Sequence, residues 1–519
     1  MKKRRESEGE VSVADTPFVS LQAQEATQDA KAGTGKGKGK EKQRATGGPK
    51  DKVDWKFGKK GKRERRGEWA PRPAVLEDDG SSAEKKERLA KRKCVVLLGF
   101  CGAGYSGMQI QRDHSNTKTI EGTLFDAFVK AGAVSKDNSD DPTKVSLSRA
   151  ARTDSGVHAA RNAVSLKMIL DIPTLTASGI DLVPHLNSLL PPEIRVWDII
   201  RTTNNFNSCD SRVYEYLFPS YVLLPPPPGS GLATTLLRVN TKNKALRISP
   251  PPSNPSTSAP FPSDPVEQTL ISYRATPGDL ARLQALVKAF QGTHNFHNYT
   301  VAREFGDRSA QRYMVQVDVR DPQVYDGIEW ISVLFHGQSF MLHQRKMIGL
   351  VMLAARTHTP PELIPETYGP SKIHIPKAPA LGLLLEEPRF GVYNLKVADT
   401  NAELALKSAQ GAQKIDYEKH CDTIDAFKRD MIYTRMRQEE AEHRVFARWL
   451  SFVDSYPGAD FEYLNHKGVI PPSAILQKGA RYENQFKEFV KMGNDSAVIG
   501  LEDDGDGEGL DVKSAEMDG

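Results

Sequence analysis

The sequence predicts an α+β protein in which two mixed α/β units flank a proline-rich insertion. Three observations predict it. Strand-like alternation and helix-like spacing follow one another over about residues 93–223 and again over 266–396. Eleven prolines fall between Pro225 and Pro265, where most of the chain has no amphipathic period. At 519 residues and 38% hydrophobic content the chain buries a large core, whereas 26% charge and 33 prolines place long stretches outside it.

Residues 1–92 are rich in Gly, Lys, Glu and Gln. Such a segment buries too little apolar surface to offset the entropy of ordering, so a disordered tail is expected. Lys42–Arg66 carries eleven basic residues against three acidic ones, so the formal net charge of +5 hides a segregated distribution. Lys2-Lys3-Arg4-Arg5 and Lys59–Arg63 have the composition of nuclear-import signals, and equally of a phosphate-gripping or merely solvating tail. No apolar run approaches the ~20 residues of a membrane helix, and no apolar h-region follows the basic N-terminus. Membrane insertion and secretion are therefore not expected. Cys94, Cys101, Cys209 and Cys421 are scattered without a C-x-x-C pair, which suggests neither a disulfide framework nor a zinc knuckle and fits a reducing compartment.

The first unit, 93–223, opens with Val95, Val96, Leu97, Leu98 and Phe100, a buried strand closed by Gly102-Ala103-Gly104. Thr119 is placed to cap a helix whose apolar positions are Ile120, Leu124, Phe125, Phe128 and Val129. Val164, Leu166 and Met168, then Tyr214, Tyr216 and Phe218, alternate as strands do. After the insertion, 224–265, the second unit spans 266–396. Leu280, Leu283, Val287 and Phe290 share a helical face, and Tyr313, Val315, Val317 and Val319, then Ile331, Val333 and Phe335, alternate as strands. The extension, 397–493, is charged and helical over about Ala402–Phe452, and its composition reads as a solvated or partner-binding surface. Residues 494–519 form an acidic tail, expected to be disordered.

There is no P-loop, H-E-x-x-H, G-x-S-x-G or dinucleotide fingerprint, which favours a reaction without a cofactor. His294 and His297 form one H-x-x-H without a third ligand of obvious spacing, so a hydrogen-bonded structural role outweighs a metal site. The densest polar loop is Ser148–Ala159, between predicted strands near Val145 and Val164. Gly156 lets the backbone turn sharply, and Asp154 projects beside cationic donors such as Arg152 that would keep it ionised. On residue type alone, Arg-x-Asp in a turn is more often a structural ion pair.

Arg152-Thr153-Asp154-Ser155-Gly156-Val157-His158-Ala159 resembles the signature of the TruA-type tRNA pseudouridine synthases. Four further blocks resemble the same family, in family order: Gly102–Gln109, Phe206–Tyr216, Phe290–Thr300 and Gly337–Gln344, the last two similar to its eukaryotic nuclear branch. The likeness spans about Lys93–Asn394 and omits the tails and the insertion.

The resemblance implies two ferredoxin-like units joined through an antiparallel sheet, an active cleft between them, and a C-terminal extension covering the surface on which bacterial relatives pair, hence a monomer. It implies isomerisation of uridine in tRNA, with small nuclear RNA and mRNA as further candidates, in the nucleus and without metal or cofactor. Asp154 corresponds to the catalytic carboxylate, acting as nucleophile or as base. Tyr214 corresponds to the residue stacking on the flipped base, Arg152 helps to flip or hold the nucleotide, and Arg345 corresponds to the arginine paired with the aspartate.

Two departures stand out. The branch has one more aliphatic residue between Gln344 and Arg345, a gap worth about 100° of helix rotation. Either the preceding loop absorbs it, or the chain is a defective gene model or an inactive copy. Arg161 stands where the branch usually has Gly, either as an RNA contact or pointing to solvent. The alternative function is a catalytically silent RNA-binding paralogue of the same fold.

Overall fold

The computed structural model describes residues 89–111, 117–204, 206, 209–241, 269–301, 303–405 and 411–477. The basic clusters Lys2–Arg5 and Lys59–Arg63 and the acidic tail lie outside them. The strands are β1 (Lys91–Phe100), β2 (Ser148–Arg149), β3 (His158–Ile169), β4 (Ile194–Arg201), β5 (Ser211–Pro219), β6 (Gly292–Asn295), β7 (Gln311–Val319), β8 (Gln323–Tyr325), β9 (Ile328–Gly337) and β10 (Leu383–Arg389). They form one sheet in the order β4-β1-β3-β10-β5-β9-β7-β6, with β2 paired to β3 and β8 to β9.

The seam is mixed rather than antiparallel throughout. β10, from the second half of the chain, enters between β3 and β5; it runs parallel to β3, with Leu384 opposite His158, and antiparallel to β5. Parallel neighbours need a long crossover, and the more than 200 residues between β3 and β10 supply it. The Asp loop and the Tyr214 strand are consequently spaced by a strand from the other half.

Side-chain alternation sorts the core. Val95 and Leu97 of β1 join one buried cluster, Val96 and Leu98 another. The second cluster includes the helix Ile120–Lys130, whose N-terminal Thr119 accepts a hydrogen bond from Gly122 N as the sequence predicts. β7 departs from the predicted alternation. A bulge between Met314 and Gln316 turns Met314 and Val317 inward and leaves Tyr313 and Val315 exposed, because one extra residue reverses the pleat. Near Val145 the chain forms a 3-10 turn, Pro142–Val145, capped by Asp141 Oδ1 accepting from Thr143 N at 2.8 Å, and the strand begins only at Ser148.

The proline-rich stretch contributes a helix, Gly231–Thr241, whose Leu232 and Thr235 are buried, with Thr235 Oγ1 donating to Pro457 O at 3.1 Å. The charged extension is not a solvated face. Its segments Cys421–Phe427, Lys428–Tyr433, Thr434–His443 and Val445–Ser455 bury Ile424, Ile432, Phe446, Trp449 and Val453. Charge at these positions is compatible with burial because it is paired. Arg356, in the helix Lys346–Arg356, grips Asp454 with both terminal nitrogens at 2.6 and 3.0 Å. Arg161 likewise points neither to RNA nor to solvent: it is buried, 2.9 Å from Glu386 and 3.6 Å from Asp425 of the extension. No helix of the described residues is long and apolar enough to cross a membrane.

Candidate active site

Between β2 and β3 the chain must reverse while keeping Asp154 outward. Gly156 takes φ +74°, and Val157 N donates to Asp154 O at 3.2 Å, closing a tight turn. The loop after β1 braces this turn from beside it. Met108 N donates to Thr153 O (3.1 Å), Gly156 N to Tyr105 O (3.2 Å) and Gly102 N to His158 Nδ1 (3.1 Å). A Cβ on Gly102 would sit 2.0 Å from Val157 O, so the approach requires glycine. His158 is fully buried, and burial depresses its pKa to about 4, so it braces the turn as a neutral imidazole accepting at Nδ1.

A cavity of about 410 Å³ opens beside the turn, a size suited to a nucleotide. Asp154, Arg152, Tyr214 and Arg345 all line it, although they come from three separate regions of sequence. Asp154 is half-buried and is the only carboxylate lining the cavity among the described residues; Arg152 is exposed. Among the described residues no ion pair within 4 Å joins Arg345 to Asp154. Instead, Arg345 Nε and Nη1 are buried without an acceptor.

Tyr214 presents its ring beside Phe340, edge to face at 4.7 Å and 71°. Burial pushes its phenol above the ordinary value; Arg212 opposes the rise and Asp154 adds to it. The hydroxyl therefore stays protonated at neutral pH and able to donate.

Arg345 immediately precedes the helix Lys346–Arg356. Upstream the chain makes a turn in which His343 takes φ +64°, Gln344 N donates to Met341 O (3.2 Å) and Gln344 Oε1 accepts from Met341 N (2.7 Å). A left-handed non-glycine residue costs roughly 1–3 kcal/mol. Two residues on from His343, Arg345 lies on the cleft wall.

His294 stacks on Tyr368 at 4.2 Å and its Nε2 lies 2.7 Å from Gln291 O, while His297 is buried with neither ring nitrogen hydrogen-bonded. Among the described residues no three His, Cys, Asp or Glu side chains are grouped to hold a metal.

The cleft also contains residues that sequence reasoning did not single out: Phe340, Arg212, Arg149, Arg303 and Arg312. Phe340 and Arg212 lie inside the family-like blocks, and Arg212 stands two residues before Tyr214 on the same face of β5, so strand period was a usable signal. Arg303 and Arg312 belong to no such block. Arg149 is ion-paired to the buried Glu121, and Arg212 donates to the carbonyls of Ala150 (2.9 and 3.2 Å) and Gln338 (3.0 Å).

A family profile described as tRNA pseudouridine synthase matches residues 286–391, which include the wall bearing Phe340 and Arg345 but not the Asp154 turn. The chain is 36% identical to tRNA pseudouridine synthase 1 of Yarrowia lipolytica over 87% of its own length and 91% of that relative. It is 38% identical to the protein of the same name from Saccharomyces cerevisiae, covering 73% and 74% of the two chains. It is also 38% identical to tRNA pseudouridine(27/28) synthase of that yeast, over 68% of this chain and 97% of the relative.

Proposed function

This chain belongs to the TruA-type family of tRNA pseudouridine synthases, and from that premise we propose that Asp154 is the carboxylate with which it isomerises uridine to pseudouridine in tRNA. The supporting observation is convergence: the four residues selected from sequence line one cleft, and among the described residues its only lining carboxylate is Asp154.

The reaction breaks the N1–C1′ bond, turns the uracil and joins C5 to C1′; C5 loses a proton and N1 gains one, so no oxidant, reductant or energy source enters. Both roles open to Asp154, nucleophile at a carbon of the nucleotide or base on a ribose proton, need the ionised carboxylate. The uridine must leave its stack to reach it. Tyr214 supplies the aromatic face, Arg152 at the rim meets the incoming backbone, and Arg345 brings unpartnered donors to the same cleft.

Asp154→Asn should form no pseudouridine while holding tRNA within a few-fold of the unaltered chain. Tyr214→Leu should lose roughly ten- to a hundredfold in single-turnover rate, matching the ~1–3 kcal/mol of a base–aromatic stack, and Tyr214→Phe much less. Turnover by the Asn variant would end the assignment, and an unaltered chain that binds tRNA without converting it would favour the silent paralogue.

Three further properties are part of the proposal. The basic clusters support nuclear residence. The burial of extension residues such as Phe446 and Trp449 against the body supports a monomer, which sedimentation would test. Small nuclear RNA and mRNA are additional candidate substrates, which a pseudouridine map of cells lacking the protein would reveal.

A further inference from the structure

The isomerisation chemistry leaves four cleft arginines without a role, Arg149, Arg212, Arg303 and Arg312, and the last two differ from the others in their partners. Arg303 lies in the loop before β7 and Arg312 within β7, and both line the cavity that holds Asp154, Tyr214 and Arg345. Arg303 Nη1 is 2.8 Å from Asp307 Oδ2, while Asp307 Oδ1 accepts from Ser309 N and Oγ at 2.8 and 2.7 Å. Arg312 Nη1 donates to Gln311 O at 2.8 Å and to Ser309 O, which fixes the side chain, yet its Nε is buried with no acceptor.

Asp307 thus pairs with Arg303 and reaches Arg312 only through its longer-range charge. Glu304, the other acid of the loop, acts on Lys372 and His297. Burial, and then the charge of Arg303, depress the basicity of Arg312, with Asp307 opposing them. Like charges held together with a buried donor unsatisfied are costly until an anion accepts from them. Arg149 and Arg212 show no such deficit, because Glu121 and the carbonyls of Ala150 and Gln338 already engage them.

We propose that Arg303 and Arg312 form a phosphodiester-binding subsite that holds the RNA backbone beside the flipped uridine. A phosphodiester offers two unesterified oxygens, which match the guanidinium fork, and it would supply the acceptor that Arg312 Nε lacks. The subsite rests on the reading of the cleft as the uridine site and adds to it the group that positions the nucleotide's backbone.

The test uses the full chain and unmodified tRNA. Arg303→Gln should flatten the slope of log affinity against log salt by about 0.7–0.9, which amounts to roughly threefold between 50 and 200 mM salt. The loss should be similar for every tRNA, because phosphate contacts carry no sequence information. Arg312→Gln should do the same, and Arg312→Lys should retain most of the slope. Melting temperature separates this from a brace: Arg312→Gln with a lower melting temperature and an unchanged slope would make Arg312 a backbone clamp and overturn the subsite. A folded Arg303→Gln variant with unaltered affinity and slope would also overturn it, whether or not Arg312→Gln folds. If the unaltered chain forms no pseudouridine, the catalytic reading fails while the salt slopes still decide the subsite.

Discussion

Lys428 of the extension lies 3.0 Å from Glu215 and 2.7 Å from Glu386, and replacing it by methionine should destabilise the whole body. Lys428 is 8% exposed and Glu215 2%, so the substitution leaves the buried Glu215 carboxylate without this counter-charge. Removing one partner of a buried ion pair costs roughly 3–5 kcal/mol. The lower end applies here. Glu386 keeps Arg161 at 2.9 Å, and Glu215 keeps Tyr433 and Ser332 as donors at 2.6 and 2.5 Å, so neither acid is wholly abandoned. Burial alone would raise the pKa of Glu215, but Lys428, then Arg320, hold it at about 2. A depressed carboxylate contributes stability that is present above its unfolded value near 4.5 and disappears as pH falls toward 2. Without Lys428 that loss should begin at higher pH. Denaturant unfolding at pH 7 should therefore show a loss of about 3 kcal/mol, partly recovered in Lys428→Met/Glu215→Gln because the amide needs no counter-charge. The isomerisation rate should fall as well, since Glu215 neighbours Tyr214 on β5. A single variant within 1 kcal/mol of the unaltered chain, or a double variant no better than the single, would refute the view that this buried charge network ties the extension to the catalytic sheet.

His158 should make stability fall with acid: its pKa drops from an ordinary 6.5 to about 4 on folding, so between those values the unfolded chain binds the extra proton and stability declines by about 1.4 kcal/mol per pH unit as pH falls. Comparing unfolding free energies of the unaltered chain and His158→Gln from pH 7 to pH 4 tests this, and equal slopes would contradict it. Deleting residues 1–88, which precede β1, should leave melting temperature and turnover unchanged but reduce nuclear accumulation of a fluorescent fusion. A truncated fusion that stays fully nuclear would move the import signal elsewhere.

Local pattern carried much of this protein. The alternation of Val164, Leu166 and Met168, of Tyr214, Tyr216 and Phe218, and of Ile331, Val333 and Phe335, together with the Thr119 cap, announced β3, β5, β9 and the first helix, because a strand's period and a cap's donor are properties of neighbouring residues. The Arg152–Ala159 turn was legible for a similar reason: its glycine and its charged residues lie within one short loop. Long-range geometry was not legible. Nothing near Leu383 states that β10 will slot between β3 and β5, and nothing near Met314 states that a bulge will reverse the pleat, since both depend on partners far away in sequence. Charge misled for the same reason. Lys428 and Arg161 look like surface residues until Glu215 and Glu386, on strands more than 40 positions away, are brought beside them. The sequence by itself singled out Arg152, Asp154, Tyr214 and Arg345 as candidates; only the tertiary structure brought them to one cleft and set Arg303 and Arg312 beside them, because a cleft is defined by what faces it across space and not by what precedes it along the chain.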